Sequence, residues 1–163
     1  MRESVQQHNQ PFEICSYAPR YKQDFYDLNY AWVAKYFVVE PIDELYLNNP
    51  EEKIIKTGGE IYFATIDGKA VGAVALKHDG DGVFELTKLA VDPSVQKCGM
   101  GRALCVKVIE RFQALKGKKL YLDTNSILPD AIRIYERLDF KHMDRPEPAL
   151  YDRADVYMEW VPS

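Results

Sequence analysis

The residues Gln96-Lys97-Cys98-Gly99-Met100-Gly101-Arg102 stand between an apolar stretch ending at Val91 and a helical pattern running on through Leu104. Glycine lets a backbone come close to a ligand. The first-turn N–H groups of a helix have no intrahelical acceptor, and the helix dipole favours negative charge beside them. Such a segment suits phosphate, and Lys97 and Arg102 could add charge-assisted contacts. Taken alone, G-x-G equally describes a plain strand-to-helix turn, so binding and structure both stay open. No G-K-[ST] follows, which removes the lysine and magnesium-binding hydroxyl of a P-loop, and the third glycine of a dinucleotide fingerprint is missing.

The surrounding periodicity shows what must hold that loop in place. Phe12 to Ser16 reads as a short strand, and Tyr21, Phe25, Leu28, Trp32 and Tyr36 recur at helical spacing up to Pro41. Ile42 to Lys56 reads as one or two short helices interrupted around Asn48-Asn49-Pro50. Alternation then begins at Ile61, Asp67-Gly68 signals a tight hairpin, and Val71 to Leu76 returns with apolar residues at both parities, as in a strand buried on two faces. Asp79-Gly80-Asp81-Gly82 turns the chain into a strand from Val83 to Val91. Leu104, Val108, Phe112 and Leu115 mark the inner stripe of a helix closed by Gly117. Lys119 to Asp123 is a strand, Asp130 to Leu138 a helix, and Val156, Met158 and Trp160 alternate in a final strand. This order predicts an α/β (α+β) chain, a mixed sheet with helices on both faces and its ligand site at the strand–loop–helix from Val83 to Leu115.

Bulk properties narrow the classes. A chain of 163 residues fits one domain burying roughly 70% of its unfolded surface. The polar residues 1–11 are expected to be a flexible N-terminus and 12–163 the single domain. A formal net charge of -4 argues against a general nucleic-acid binder, which needs a surplus of Lys and Arg on one face. The first residues carry no apolar signal segment and no apolar run approaches a membrane span, so the expectation is a cytoplasmic protein with no nucleic-acid or membrane partner. Cys15, Cys98 and Cys105 show no metal-ligand spacing, nor do His8, His78 and His142, so no metal is expected.

Gln96-Lys97-Cys98-Gly99-Met100-Gly101 resembles the Q/R-x-x-G-x-G/A pyrophosphate loop of the GNAT (GCN5-related N-acetyltransferase) superfamily. Leu89-Ala90-Val91-Asp92-Pro93 before it, and Ala131-Ile132, Tyr135-Glu136, Leu138 and Phe140 after it, are similar to the family's flanking patterns at the expected distances. The resemblance runs from about Ile61 to the end. It implies a mostly antiparallel sheet of about seven strands, with a splayed strand pair holding acetyl-CoA, the acyl donor. Backbone groups of Leu89, Ala90 and Val91 would bond the pantetheine arm in the manner of strand addition. The N–H groups from Gln96 through Lys97, Cys98, Gly99, Met100 and Gly101 to Arg102 would hold the pyrophosphate, and Asn125 would contact the carrier, a turn or helix-capping role being its alternative.

The activity so implied is transfer of acetyl to a primary amine, of a small molecule or a peptide, in a ternary complex. It requires a neutral amine, a stabilised oxyanion and a proton for the departing thiolate. By the resemblance Tyr135 is the acid at the sulfur and Glu85 the base, working through water with Thr87 on the same strand face. On their residue types alone, Tyr135 could be a core tyrosine and Glu85 a solvated strand residue. The oxyanion would meet a backbone N–H near Leu89 or Ala90. Asp139, where the family commonly has glycine, needs either another turn geometry or a left-handed aspartate. A non-catalytic acyl-CoA-binding module is the alternative, and it has no need of Glu85 or Tyr135. The acceptor is expected to lie between 30–56 and 145–153, where Tyr30, Trp32 and Tyr36 could line a pocket, with core packing the better default, and Glu40, Asp43 and Glu44 could attract a cationic amine or simply form a solvated helix start. A homodimer is an expectation carried by the family alone.

Overall fold

The computed structural model describes residues 11–95 and 98–163. Strands β1 (Glu13–Ser16), β2 (Glu60–Ile66), β3 (Lys69–Gly80), β4 (Val83–Val91), β5 (Lys119–Thr124), β6 (Phe140–His142) and β7 (Val156–Trp160) form one sheet in the order β1-β2-β3-β4-β5-β7-β6. Neighbours run antiparallel except β4 and β5, which are parallel. The mixed sheet expected from the element order is therefore present, with the mostly antiparallel pairing that the family resemblance implied. Its hairpins follow turn chemistry. Asp67 and Gly68 have φ of 51° and 80°, and Asp81 and Gly82 have φ of 54° and 78°, the left-handed pairs that match strand twist. β3 runs on to Gly80, four residues beyond the expected Leu76, because the turn needs only Asp81 and Gly82.

Helices α1 (Lys22–Tyr36) and α2 (Pro41–Asn48) cover one face of the sheet, and α3 (Met100–Ala114) and α4 (Pro129–Arg137) the other. On the α1 side Phe25, Leu47, Ile54, Ile61 and Phe63 close a smaller core. On the α3 side Leu76, Leu86, Leu104, Val108, Leu120 and Met158 form the larger one. β3 lies between them and is buried without interruption from Ala70 to Lys77, as its double-parity apolar run predicted.

α3 stops sooner than its periodicity suggested. Lys116 is left-handed at φ 56°, the Gly117 N–H donates to the Phe112 carbonyl at 3.0 Å, and a Cβ on Gly117 would lie 2.2 Å from the Phe112 ring. This glycine closure lifts Leu115 off the inner stripe and leaves it 40% exposed. Asp139 takes the second of its two options, a left-handed backbone at φ 77°.

The feature that shapes the site is a bulge in β4. Leu86 pairs with Leu76 and Thr87 with Ala75, but Ala90 pairs with Ala73 and Val91 with Gly72. Two residues of β4, Lys88 and Leu89, thus stand opposite Val74, and Lys88 adopts φ 58°. A surplus residue bends its strand and strengthens the local twist. Pairing between β4 and β5 covers Val83↔Lys119, Phe84↔Leu120 and Glu85↔Tyr121, and no pairing follows Glu85. The two strands part there.

Candidate functional site

A cavity of about 750 Å³ opens where β4 and β5 separate. It is bounded by α1 and α2 on one side, by the starts of α3 and α4 on the other, and by the segment leading into β7. Of the residues singled out in the sequence, Glu85, Leu89, Ala90, Val91, Gly99, Met100, Gly101, Arg102, Asn125 and Tyr135 line it together, as does Thr87. Cys98 does not line it, and its thiol donates to the Val95 carbonyl at 2.9 Å. Gln96 and Lys97 lie outside the described residues.

The α3 end of the cavity has the form of an anion site. Gly99 caps the helix at φ 83° in the left-handed region that favours glycine. No acidic residue occupies the first turn, so the dipole and the N–H groups of Met100, Gly101 and Arg102 face the cavity without a competing carboxylate. Gly101 has room for a methyl group, since a Cβ there would sit 3.6 Å from Ile134 Cδ1. Packing therefore accepts alanine at Gly101, in keeping with the G/A position of the loop pattern.

Glu85 sits where the strands part and is 5% exposed. Its cross-strand partner is Lys77, whose ammonium lies 3.5 Å away and is shared with Asp79 at 3.3 Å. Burial raises the Glu85 carboxyl to about 7 against the pull of Lys77, which brings it into the range a general base needs. Tyr135 is 6% exposed and packs edge-on to Phe140 at 5.9 Å. Its hydroxyl makes no hydrogen bond with the described residues, although the side chain lines the cavity. Burial pushes its pKa up, so the phenol stays protonated and able to donate.

Asn125 is engaged by its own loop. Its Nδ2 donates to the Arg153 carbonyl at 2.5 Å and its Oδ1 accepts from the Ile127 N–H at 2.8 Å. This is an Asx-turn that ties the β5–α4 loop to the chain before β7, and one amide hydrogen remains for a ligand.

The carboxylates at the start of α2 are engaged by other residues. Asp43 is fully buried and takes Arg153 on both oxygens, at 2.6 and 2.8 Å. Although burial opposes its charge, Arg153, the Glu40 N–H and Lys88 hold its carboxyl below the usual range. Glu40 accepts from Arg153 and from the Asp152 N–H. Glu44 accepts from Tyr26 and Asn48. Each of these carboxylates is thus already answered. Trp32 and Tyr36 line the cavity as expected, whereas Tyr30 stacks on Tyr26 at 5.5 Å and is not among the lining residues.

Lys88 was not picked out by sequence reasoning. Its side chain is 7% exposed, lines the cavity and donates to the Tyr151 hydroxyl at 2.6 Å. Burial brings its ammonium down to about 8, with Asp43 and Glu85 only partly resisting. The available signal was the loss of alternation at Lys88-Leu89-Ala90-Val91, where a charge precedes an apolar run and marks the bulge.

Among the described residues, no group of three or more His, Cys, Asp and Glu could hold a metal. No helix there is long and apolar enough to cross a membrane.

A sheet parted between parallel strands beside a glycine-capped helix is the framework of the N-acetyltransferases. The family model described as the acetyltransferase (GNAT) family matches residues 11–140, and the chain belongs to that family. It is 29% identical over 114 residues to the uncharacterized N-acetyltransferase YjgM of Escherichia coli K12, covering 67% of this chain and 65% of that one. It is 30% identical over 117 residues to the N-acetylaspartate synthetase of Xenopus tropicalis, covering 71% of this chain and 41% of the relative. These matches span less than two thirds of the relatives' own lengths. The fold superposes with a TM-score of 0.83 on a GNAT acetyltransferase from Staphylococcus aureus Mu50, at 20% identity over 91% of this chain and 98% of that one. YncA from Salmonella typhimurium, solved with acetyl-CoA, superposes at 0.68 and 16% identity over 92% and 93%. The family match and the superpositions agree on the fold.

Proposed function

We propose that the chain moves an acetyl group from acetyl-CoA directly to a primary amine, with both substrates held in the cavity at once. The observation that carries this is Glu85, a buried carboxyl raised to about 7 at the point where β4 and β5 part. A pure binding module has no use for a desolvated carboxylate there. Above pH 7 Glu85 is ionised and accepts, through a water oriented by Thr87, the proton that the ammonium must lose. The neutral amine attacks the thioester carbonyl, a C–N bond forms, and the oxyanion is met by a backbone N–H near Leu89 or Ala90. As the C–S bond breaks, the Tyr135 hydroxyl gives its proton to the sulfur and is reprotonated by the nitrogen, which sheds its second proton as the amide forms. The N–H groups at the start of α3 hold the donor's pyrophosphate, and the parted edge of β4 at Leu89 takes its pantetheine arm. The relatives named N-acetylaspartate synthetase carry a nitrogen-acetylated product in their name, which supports an amine over a hydroxyl as the acceptor.

The test mixes purified protein and acetyl-CoA with small amines, amino acids, peptide N-termini and lysine peptides, and measures free thiol. Release with at least one class supports direct transfer. Thiol release from none of them, with CoA binding demonstrated on the same sample, overturns it.

A further inference from the structure

The charged groups around the acceptor half of the cavity are paired unevenly. Asp43 gives both oxygens to Arg153, Glu85 faces Lys77, and Asp123 is bonded by Arg145. Lys88 is left over. Its ammonium can donate three hydrogen bonds and makes one, to Tyr151. The nearest Asp43 oxygen stands 3.8 Å away, beyond hydrogen-bond reach. Glu85 also attracts the ammonium while Arg153 and Lys77 repel it, and the ring faces of Tyr151 at 4.6 Å and Tyr46 at 5.6 Å attract a cation less strongly than an anion does. An ammonium this buried is costly until an acceptor oxygen completes it, and the same burial lowers its pKa to about 8.

We propose that Lys88 and Tyr151 bind a carboxylate of the acceptor, so that the amine acetylated here belongs to an amino acid rather than to a simple amine or polyamine. The inference rests on the acetyl-transfer function above and narrows its substrate class. A carboxylate entering beside Lys88 accepts from the two unused N–H directions, while the Tyr151 hydroxyl is oriented by the bond it already makes. The substrate's amine is then held at a fixed distance from its anchor, as bringing two reactants into register requires. A cationic diamine meets the opposite arrangement, since its second ammonium would face Lys88 while the nearby carboxylates are already occupied.

The experiment compares each acid with its amide. Glycine, β-alanine and L-leucine are assayed by thiol release against glycinamide, β-alaninamide and L-leucinamide. A charge-assisted contact in a dry site predicts a kcat/KM preference for the acids of about 10- to 100-fold. Lys88→Met should shrink that preference to within about threefold, mostly through KM, and Tyr151→Phe should lower it part of the way. Equal or better use of the amides by the unaltered protein overturns the proposal, as does an undiminished preference in a folded Lys88→Met. Calorimetric titration of the CoA-loaded protein with N-acetylglycine and N-acetylglycinamide reads the same contact without turnover. Tighter binding of the acid, lost in Lys88→Met, supports the carboxylate site even if no amine is acetylated. Equal binding of the two compounds counts against it.

Discussion

Replacing Glu85 by glutamine keeps the side chain's shape and removes its charge, and two independent readouts respond. The first is rate. In the unaltered protein kcat/KM should rise about tenfold per pH unit up to about pH 7 and then level, because the ionised carboxylate is the base. In Glu85→Gln that limb should vanish, and the plateau should fall by roughly 10²- to 10⁴-fold, the usual contribution of a positioned base. The second is stability. The carboxyl is raised from 4.5 to about 7 on folding, so between those values the native state holds a proton that the unfolded state releases. Each unit of rising pH then favours unfolding by roughly 1.4 kcal/mol, for a total of about 3 kcal/mol that is fully lost above pH 7. Glutamine carries no such penalty. The variant's melting temperature should therefore gain on that of the unaltered protein as pH rises from about 4.5 to about 7, by roughly 5–10 °C for a domain of this size. Loss of Lys77's contact trims the gain, although Asp79 remains 3.3 Å from that ammonium. Thiol release from about pH 5 to about pH 9, with thermal unfolding in the same buffers, supplies both curves. A limb near pH 7 that persists in the variant, with less than a roughly threefold loss of rate, would refute the base assignment. A difference in melting temperature that ignores pH would refute the desolvated carboxylate itself.

Two further substitutions probe other parts of the site. Tyr135→Phe removes a hydroxyl that bonds none of the described residues, so folding should be untouched, kcat should drop on the order of 10²-fold and CoA affinity should stay level by calorimetry; an unchanged kcat removes Tyr135 from the mechanism. Arg153→Met strips Asp43 of its two short bonds and leaves a buried carboxylate with Lys88 at 3.8 Å. Urea unfolding at neutral pH should show a loss of about 3–5 kcal/mol, and a loss under about 1 kcal/mol would mean that Asp43 finds another partner.

Local chemistry made much of this protein readable in one dimension. The bounds of β4, the Asp67-Gly68 hairpin and the doubly buried β3 follow from alternation and turn residues, which act over a few positions. The glycine loop could be recognised because its function depends on backbone, and glycine is the residue that records backbone demands. What escaped depends on distance along the chain. Arg153 answers Asp43 across 110 residues, so the acidic start of α2 looked open when it is closed. Lys88 looked like an ordinary strand lysine because its burial arises from Tyr46 and Tyr151, which come from elements far away in sequence. Leu115 failed for a different reason, since a helical stripe continues on paper past the point where Gly117 unwinds the chain.

The bulge at Lys88 and Leu89 makes the cleft a matter of counting. From Phe84 to Thr87 the residues of β4 keep one register with β3, and from Ala90 they keep another. A point substitution at either position leaves the count intact. Loss of a single codon there would remove the bulge while leaving Ala90 opposite Ala73 and Val91 opposite Gly72, take away the local bend and extra twist, and free β4 to run straight alongside β5. Surface loops can lengthen or shorten by a residue at little cost, but this strand cannot, so length variation in descendants of this gene should be barred between Glu85 and Val91 while substitutions there remain open to selection.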